Sequence, residues 1–197
     1  MRNRDENKEL LVKQKAIEMI VKEGLDGFSM QKLARVAKVS PATLYIYYKD
    51  KEDLLIRLGI EETQSMINTL LRNFDDTMSF EEGMRIQWRN RTDFWIENPT
   101  SALFLEKLRL SNYRSRIFEA LDREFINAMG NFVHNAILNK ELVPVTKEVF
   151  WSVAYAPLYN LIRFHTEGIS LAGTAFRFSE EAMWETFDLV MRALRPS

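Results

Sequence analysis

Apolar residues recur every three or four positions along almost the whole chain, and no run alternates as a strand would, so the pattern is helical throughout. Leu10, Leu11, Ile17, Ile20 and Val21 mark a first helix over 7–22, and Gly24 follows it as a stop. A second predicted helix is capped by Ser29, turns Leu33, Ala34 and Val36 inward, and ends in a tight turn at Lys38 and Val39. Ser40 is a natural N-cap and Pro41 suits the first helical position, so a third helix carries Leu44 and Tyr48 inside. Asp50 caps a fourth, with Asp53 placed for a capping box, and the apolar pattern continues from Leu54 to about Phe74. Further helices are predicted over 80–97, 100–110, 115–139, 146–167 and 179–194. Asn98-Pro99 closes the first of these, because the residue before proline avoids the helical region. Glu180 and Glu181 open the last and Arg192 lies near its end, as the helix dipole favours.

The third helix is the most informative. It is about two turns long and carries Thr43, Tyr45 and Tyr47 away from Leu44 and Tyr48. Hydroxyls and rings beside lysines make poor core, but they suit a DNA major groove, where hydroxyls meet phosphates and rings meet thymine methyls. The net charge of −1 alone argues against nucleic acid, yet residues 30–51 hold five bases and one acid (Asp50). The positive charge sits where phosphate attraction is needed.

Residues of about 8 to 60 resemble the DNA-binding signature of TetR-family transcriptional regulators. The resemblance is carried by Gly24-Leu25-Asp26-Gly27-Phe28-Ser29, by Ser29-Met30-Gln31-Lys32-Leu33-Ala34-Arg35-Val36-Ala37-Lys38-Val39, and by Ser40-Pro41-Ala42-Thr43-Leu44-Tyr45-Ile46-Tyr47-Tyr48-Lys49-Asp50-Lys51. It implies an all-α fold of about nine helices. An N-terminal three-helix helix-turn-helix DNA-binding domain (1–50) would precede a larger effector-binding and dimerisation bundle (51–197). It implies a repressor that binds a palindromic operator in double-stranded DNA as a homodimer and is released by a small molecule. The dimer would form through the last two long helices, about 146–167 and 179–194. Matched position by position, Ser29 and Gln31 would touch backbone or a base edge, and Ser40, Pro41, Ala42 and Thr43 would face the groove. Tyr45 would meet phosphate or a thymine methyl, Tyr47 the DNA backbone, and Lys51 a phosphate. Tyr48 stands where the family usually has phenylalanine, and Ala42 where glycine is common. No arginine lies on the recognition helix, so the bidentate guanine contact is not available from it.

The remainder matches no specific motif. Helix 146–167 is apolar on more than one face, which calls for two partners, the chain's own core and a second subunit, and helix 179–194 offers apolar residues at the same periodicity. Aromatics at helical spacing fill cores in the first instance. Rings on adjacent helices also leave apolar gaps, and such gaps are common ligand sites. Trp88, Arg91, Trp95, Phe104, Tyr113, Phe125, Met129, Trp151, Tyr155 and Tyr159 are the candidate effector contacts, with Gln87, His134, Asn160 and His165 as further polar candidates. The expected effector is apolar or aromatic.

Cysteine is absent, which removes disulfides and thiolate metal sites. No metal-binding histidine pair, phosphate loop or nucleophile elbow appears, so neither catalytic residues nor metal nor cofactor are expected. No apolar span suits a membrane and the first residues lack a secretory apolar stretch, so a cytoplasmic protein is expected. The other function class the sequence allows is an architectural DNA-binding protein without a small-molecule effector.

Overall fold

The computed structural model describes residues 2–121 and 123–196. Among them are eleven helices: α1 Arg2–Gly27, α2 Met30–Val36, α3 Pro41–Tyr47, α4 Lys51–Leu70, α5 Phe80–Glu97, α6 Pro99–Arg109, α7 Arg114–Ala120, α8 Glu124–Leu138, α9 Lys147–Ala154, α10 Ala156–Glu167 and α11 Glu180–Leu194. One isolated β-bridge, Ile169 to Ala175, closes the loop before α11. No described helix is long and apolar enough to cross a membrane.

The all-α expectation holds, and two breaks turn nine helices into eleven. The helix expected over 115–139 is α7 and α8, separated where Leu121 turns extended (φ −84°, ψ 147°). Its apolar residues serve two different cores: Ile117 belongs with Phe104 and Leu108, whereas Met129 and Phe132 belong with Phe80 and Trp88. The helix expected over 146–167 is α9 and α10, broken at Tyr155 (φ −125°, ψ −27°). Pro157 is the cause, since it has no N–H for the Val153 carbonyl and its ring would strike that carbonyl in a continuous helix. The first helix runs on to Gly27 with a kink at Gly24 (φ 78°), a left-handed position that suits glycine.

The chain folds as two compact units. The first comprises residues 1–66 and 98–121, the second 67–97 and 122–197. In the first, Val12, Ala16 and Ile20 of α1 pack with Phe28, Leu33, Leu44, Leu54 and Leu58, and Phe104, Leu108 and Ile117 complete that core from α6 and α7. In the second, Phe80, Met84 and Trp88 of α5 pack with Phe132, Phe150, Leu158, Phe187 and Met191. The amide side chains of Gln87 and Asn90 donate to the Leu70 carbonyl at 2.7 and 3.1 Å, filling acceptors left open at the end of α4. The Trp88 indole donates to the Ala154 carbonyl at 2.9 Å, beside the break between α9 and α10.

Gly83 of α5 permits a close approach to α8. A Cβ there would lie 2.4 Å from Cε2 of Phe132, whose ring is wedged against Phe74 and Phe80 at 5.1 and 5.7 Å between centroids. Helix propensity favours alanine by about 1 kcal/mol. Overpacking a rigid core costs about 1–3 kcal/mol. The collision wins, so Gly83→Ala lowers the urea midpoint. Gly130 of α8 meets nothing within 4 Å, so Gly130→Ala raises the midpoint, for a gain of about 1 kcal/mol in stability. Two equal and favourable shifts in urea melts would overturn the close approach of α5 and α8.

Candidate functional site

Two seven-residue helices, α2 and α3, form the head. The Ser29 hydroxyl accepts from the Lys32 amide at 3.3 Å and so caps α2. At the other end the Val39 amide donates to Ala34 and the Lys38 amide to Arg35, with Lys38 left-handed (φ 54°). That pairing is a Schellman motif, and it makes the tight turn expected at Lys38 and Val39. Val36 does not face inward: it is 45% exposed, and Ala37 is buried instead. Met30, Leu33, Ala34 and Ala37 form the i, i+3, i+4, i+7 stripe, and Val36 lies off it.

In α3 the Ser40 hydroxyl accepts from the Thr43 amide at 3.1 Å and hydrogen-bonds the Thr43 hydroxyl at 2.8 Å. Leu44 and Tyr48 are buried. Ser40, Pro41, Ala42 and Tyr45 are exposed, as is Gln31 at the start of α2, while Ser29, Thr43 and Tyr47 are half-buried. The sequence reading left out Ile46, which is 77% exposed. The signal was present: Leu44 and Tyr48 already fill the inward stripe, so an isoleucine between the tyrosines must point out.

Lys51 opens α4, and its ammonium donates to the carbonyls of Leu25 at 2.7 Å and Phe28 at 3.0 Å. Of three ammonium protons, one is left for another acceptor. Asp50 accepts from the Asp53 amide at 2.8 Å, and Asp53 reaches back to the Lys49 amide at 2.9 Å, one residue before the expected capping-box position. That amide bond, aided by Arg57, holds the Asp53 carboxyl below its ordinary range. The Tyr48 hydroxyl is buried with no hydrogen-bond partner, and burial pushes its pKa up to about 12.

The candidate effector residues separate. Phe104 and Tyr113 lie in the first unit, Phe104 fully buried in its core. Trp88, Arg91, Trp95, Phe125, Met129, Trp151, Tyr155 and Tyr159 lie in the second. Trp88 and Met129 are core. Around Arg91 the others gather: its guanidinium carbon lies 4.0 Å from the ring centre of Tyr155, 5.2 Å from Trp151 and 5.8 Å from Phe125. Trp95 stacks edge-on with Tyr159 at 5.2 Å. Burial raises the Tyr155 pKa to about 12 and also raises that of Tyr159, with the Arg91 charge opposing both. Three of the further polar candidates have other duties or positions: Gln87 serves α4, His134 is exposed, and His165 Nδ1 accepts from the Phe178 amide at 3.4 Å.

Residues 14–58 match the sequence model of bacterial regulatory proteins of the tetR family. That match covers the helix-turn-helix segment, about a quarter of the chain. An uncharacterized HTH-type transcriptional regulator of Haemophilus influenzae is 39% identical over 82 residues, which is 42% of this chain and 44% of that protein. The fatty acid metabolism regulator protein of Bacillus subtilis is 25% identical over 130 residues, 64% of this chain and 66% of that one. The chain thus spans about half the length of the curated relatives it matches. A TetR family transcription regulator from Marinobacter aquaeolei VT8 shares the fold over 100% of both chains, with a TM-score of 0.83 at 24% identity.

In this head, Tyr48 places a hydroxyl where none is needed. Tyr48→Phe removes a buried unpaired polar group and stabilises the protein by about 1 kcal/mol at neutral pH. The tyrosine's raised pKa also has a sign. Its contribution is present below pH 10, the ordinary value, and is lost as the pH rises towards about 12. Urea melts between those limits therefore show a shallower alkaline decline for the phenylalanine variant. A parallel decline would show that the hydroxyl ionises as freely in the folded protein as in the unfolded chain.

Proposed function

We propose that this chain is a DNA-binding transcriptional repressor of the tetR family. It binds a palindromic operator as a homodimer and is released by a small apolar or aromatic effector. Residues 1–50 act as the reading head and 51–197 as the effector and dimerisation part. The observation that carries the reading is the outward face of α3. Tyr45 and Ile46 stand free beside Pro41 and Ala42, on a helix fixed at its start by Ser40 and on its inner side by Leu44 and Tyr48. Exposed rings and a β-branched methyl suit thymine methyls. With no arginine on α3, specificity comes from such contacts, from Gln31 and from DNA shape.

A dimer serves this reading, since two short helices on adjacent major grooves read a palindrome. α10 and α11 are its proposed interface. Leu189 of α11 is 55% exposed and Leu161 of α10 is half-buried, which supports a second apolar face. Light scattering at micromolar concentration is expected to give the dimer mass, and Leu189→Arg the monomer mass with an unchanged helical spectrum. A wild-type monomer overturns the two-fold reading.

Selection of the protein on a randomised duplex pool at fixed salt tests the DNA reading. The expected product is a two-fold palindrome. Lys51→Ala lowers affinity for all duplexes and reduces the salt slope by about one, while Thr43→Ala changes the preferred bases. Because Lys51 also ties the Leu25 and Phe28 carbonyls, its variant is assayed below its melting temperature. Bulk salt-sensitive binding with no enriched sequence favours an architectural protein and overturns the repressor.

A further inference from the structure

Arg91 is 0% exposed, and none of its three guanidinium nitrogens has a hydrogen-bond partner. An arginine stays charged in any protein, so this is a buried cation without an anion. Ion pairs among the described residues of its unit use other cations. Asp93 pairs with Arg72, Glu180 with Arg89, Glu81 with Arg85 and Arg195, and Glu141 accepts from the Phe80 amide. Against Arg91 lie the rings of Tyr155, Trp151 and Phe125; the Tyr155 hydroxyl feels the Arg91 charge but donates to Met84 Sδ at 3.6 Å and is not in hydrogen-bonding geometry with the guanidinium. A ring stacked on a guanidinium attracts its charge but satisfies none of its N–H groups. The five donors along the plane of the fork are left over, and that planar fork matches a carboxylate bidentately.

The shape of the surroundings supplies the rest. The ring cluster reaches the surface at Trp151, which is 42% exposed, and at the half-buried Phe125, Tyr159 and Trp95, so a ligand reaches Arg91 by displacing these rings. A ligand entering there meets hydrocarbon and ring faces on the way to one cation. A single positive charge balances a carboxylate. A phosphate monoester would leave a second negative charge buried among rings.

We propose that Arg91 is the anion-binding group of the effector site, and that the effector is an apolar acid. Its carboxylate takes the unused N–H edge of Arg91, and its hydrocarbon or aromatic body packs on Phe125, Trp151, Tyr155 and Tyr159. The proposal rests on the effector-released reading above and adds the charge of the ligand to it. Ligand-free, the buried cation is a cost to the fold, because its lost hydration is only partly replaced. Ligand-bound, that cost becomes selectivity for acids.

The test uses the full chain and follows tryptophan fluorescence, since Trp95 and Trp151 lie at the site. Octanoate is compared with 1-octanol, and phenylacetate with 2-phenylethanol. Each acid is expected to bind at least about tenfold more tightly than its alcohol. Arg91→Met keeps the volume and removes the charge. It is expected to melt no lower than the wild type without ligand and to bind acid and alcohol alike. Should the methionine variant not fold, Arg91→Lys keeps the charge and loses the fork, so affinity for the acids falls several-fold while that for the alcohols stays. Equal binding of acid and alcohol to the wild type, no binding of either acid, a methionine variant that still prefers acids, or a lysine variant that loses both alike overturns the proposal. Operator binding is measured separately. Release of DNA by alcohols as well as acids upholds the repressor and overturns the role of Arg91. Acid-selective binding with no effect on DNA upholds Arg91 and overturns the effector-released repressor.

Discussion

A seven-residue helix does not hold itself together in water, because nucleation costs more than so few hydrogen bonds return. α2 and α3 are each that short, and everything the head can do depends on their being held from outside. Leu33, Ala34, Leu44 and Tyr48 are driven into a core made by α1, the start of α4, α6 and α7. Two serine caps and one Schellman turn then satisfy the helix ends. The Lys51 ammonium ties the segment between α1 and α2 to the start of α4 through the Leu25 and Phe28 carbonyls. The outward face of α3 is what remains after those demands are met. Its residues owe their exposure to the anchoring of their neighbours.

The second unit meets a different constraint. α5 is buried along most of its length, yet it carries Gln87, Asn90 and Arg91 among its apolar residues. Each polar group needs a counterpart, and the fold supplies one for the amide nitrogens of two of the three. Gln87 and Asn90 cap the end of α4. The break forced by Pro157 leaves Ala154 as the acceptor for Trp88 and lets Tyr155 turn its ring towards Arg91. Arg91 itself receives ring faces and no acceptor in hydrogen-bonding geometry. Gln87 leaves its Oε1 without a partner while its amide nitrogen is used, whereas Arg91 leaves all three nitrogens unused and carries a charge, so among the described residues of α5 it is the group with chemistry still to do.

Much of the head was legible in the chain, since caps, stripes and turn residues there act over three or four positions. Ser29, Ser40, Pro41 and the buried Tyr48 behave as local chemistry dictates. Val36 and Ile46 were misjudged or passed over, although the i, i+4 stripes that exclude them can be counted in the sequence. Pro157 was a readable signal for the break at Tyr155. The break at Leu121 was not readable, because Ile117 and Met129 keep one helical rhythm while serving separate cores.

The candidate effector residues show the same division. Periodicity marks Phe104, Tyr113, Trp151 and Tyr155 alike as apolar positions, and nothing in their spacing says which core each joins. Only the folded chain sends Phe104 and Tyr113 to one unit and gathers Trp151, Tyr155 and Phe125 around Arg91 in the other. By itself the sequence determined the helices, their caps and the residues turned outward on α3, because those follow from interactions within one or two turns. The tertiary structure alone decided that Arg91 is buried without a partner. That depends on groups 34 to 64 residues away in the chain, Phe125 and Tyr155 among them, and no local rule reaches so far.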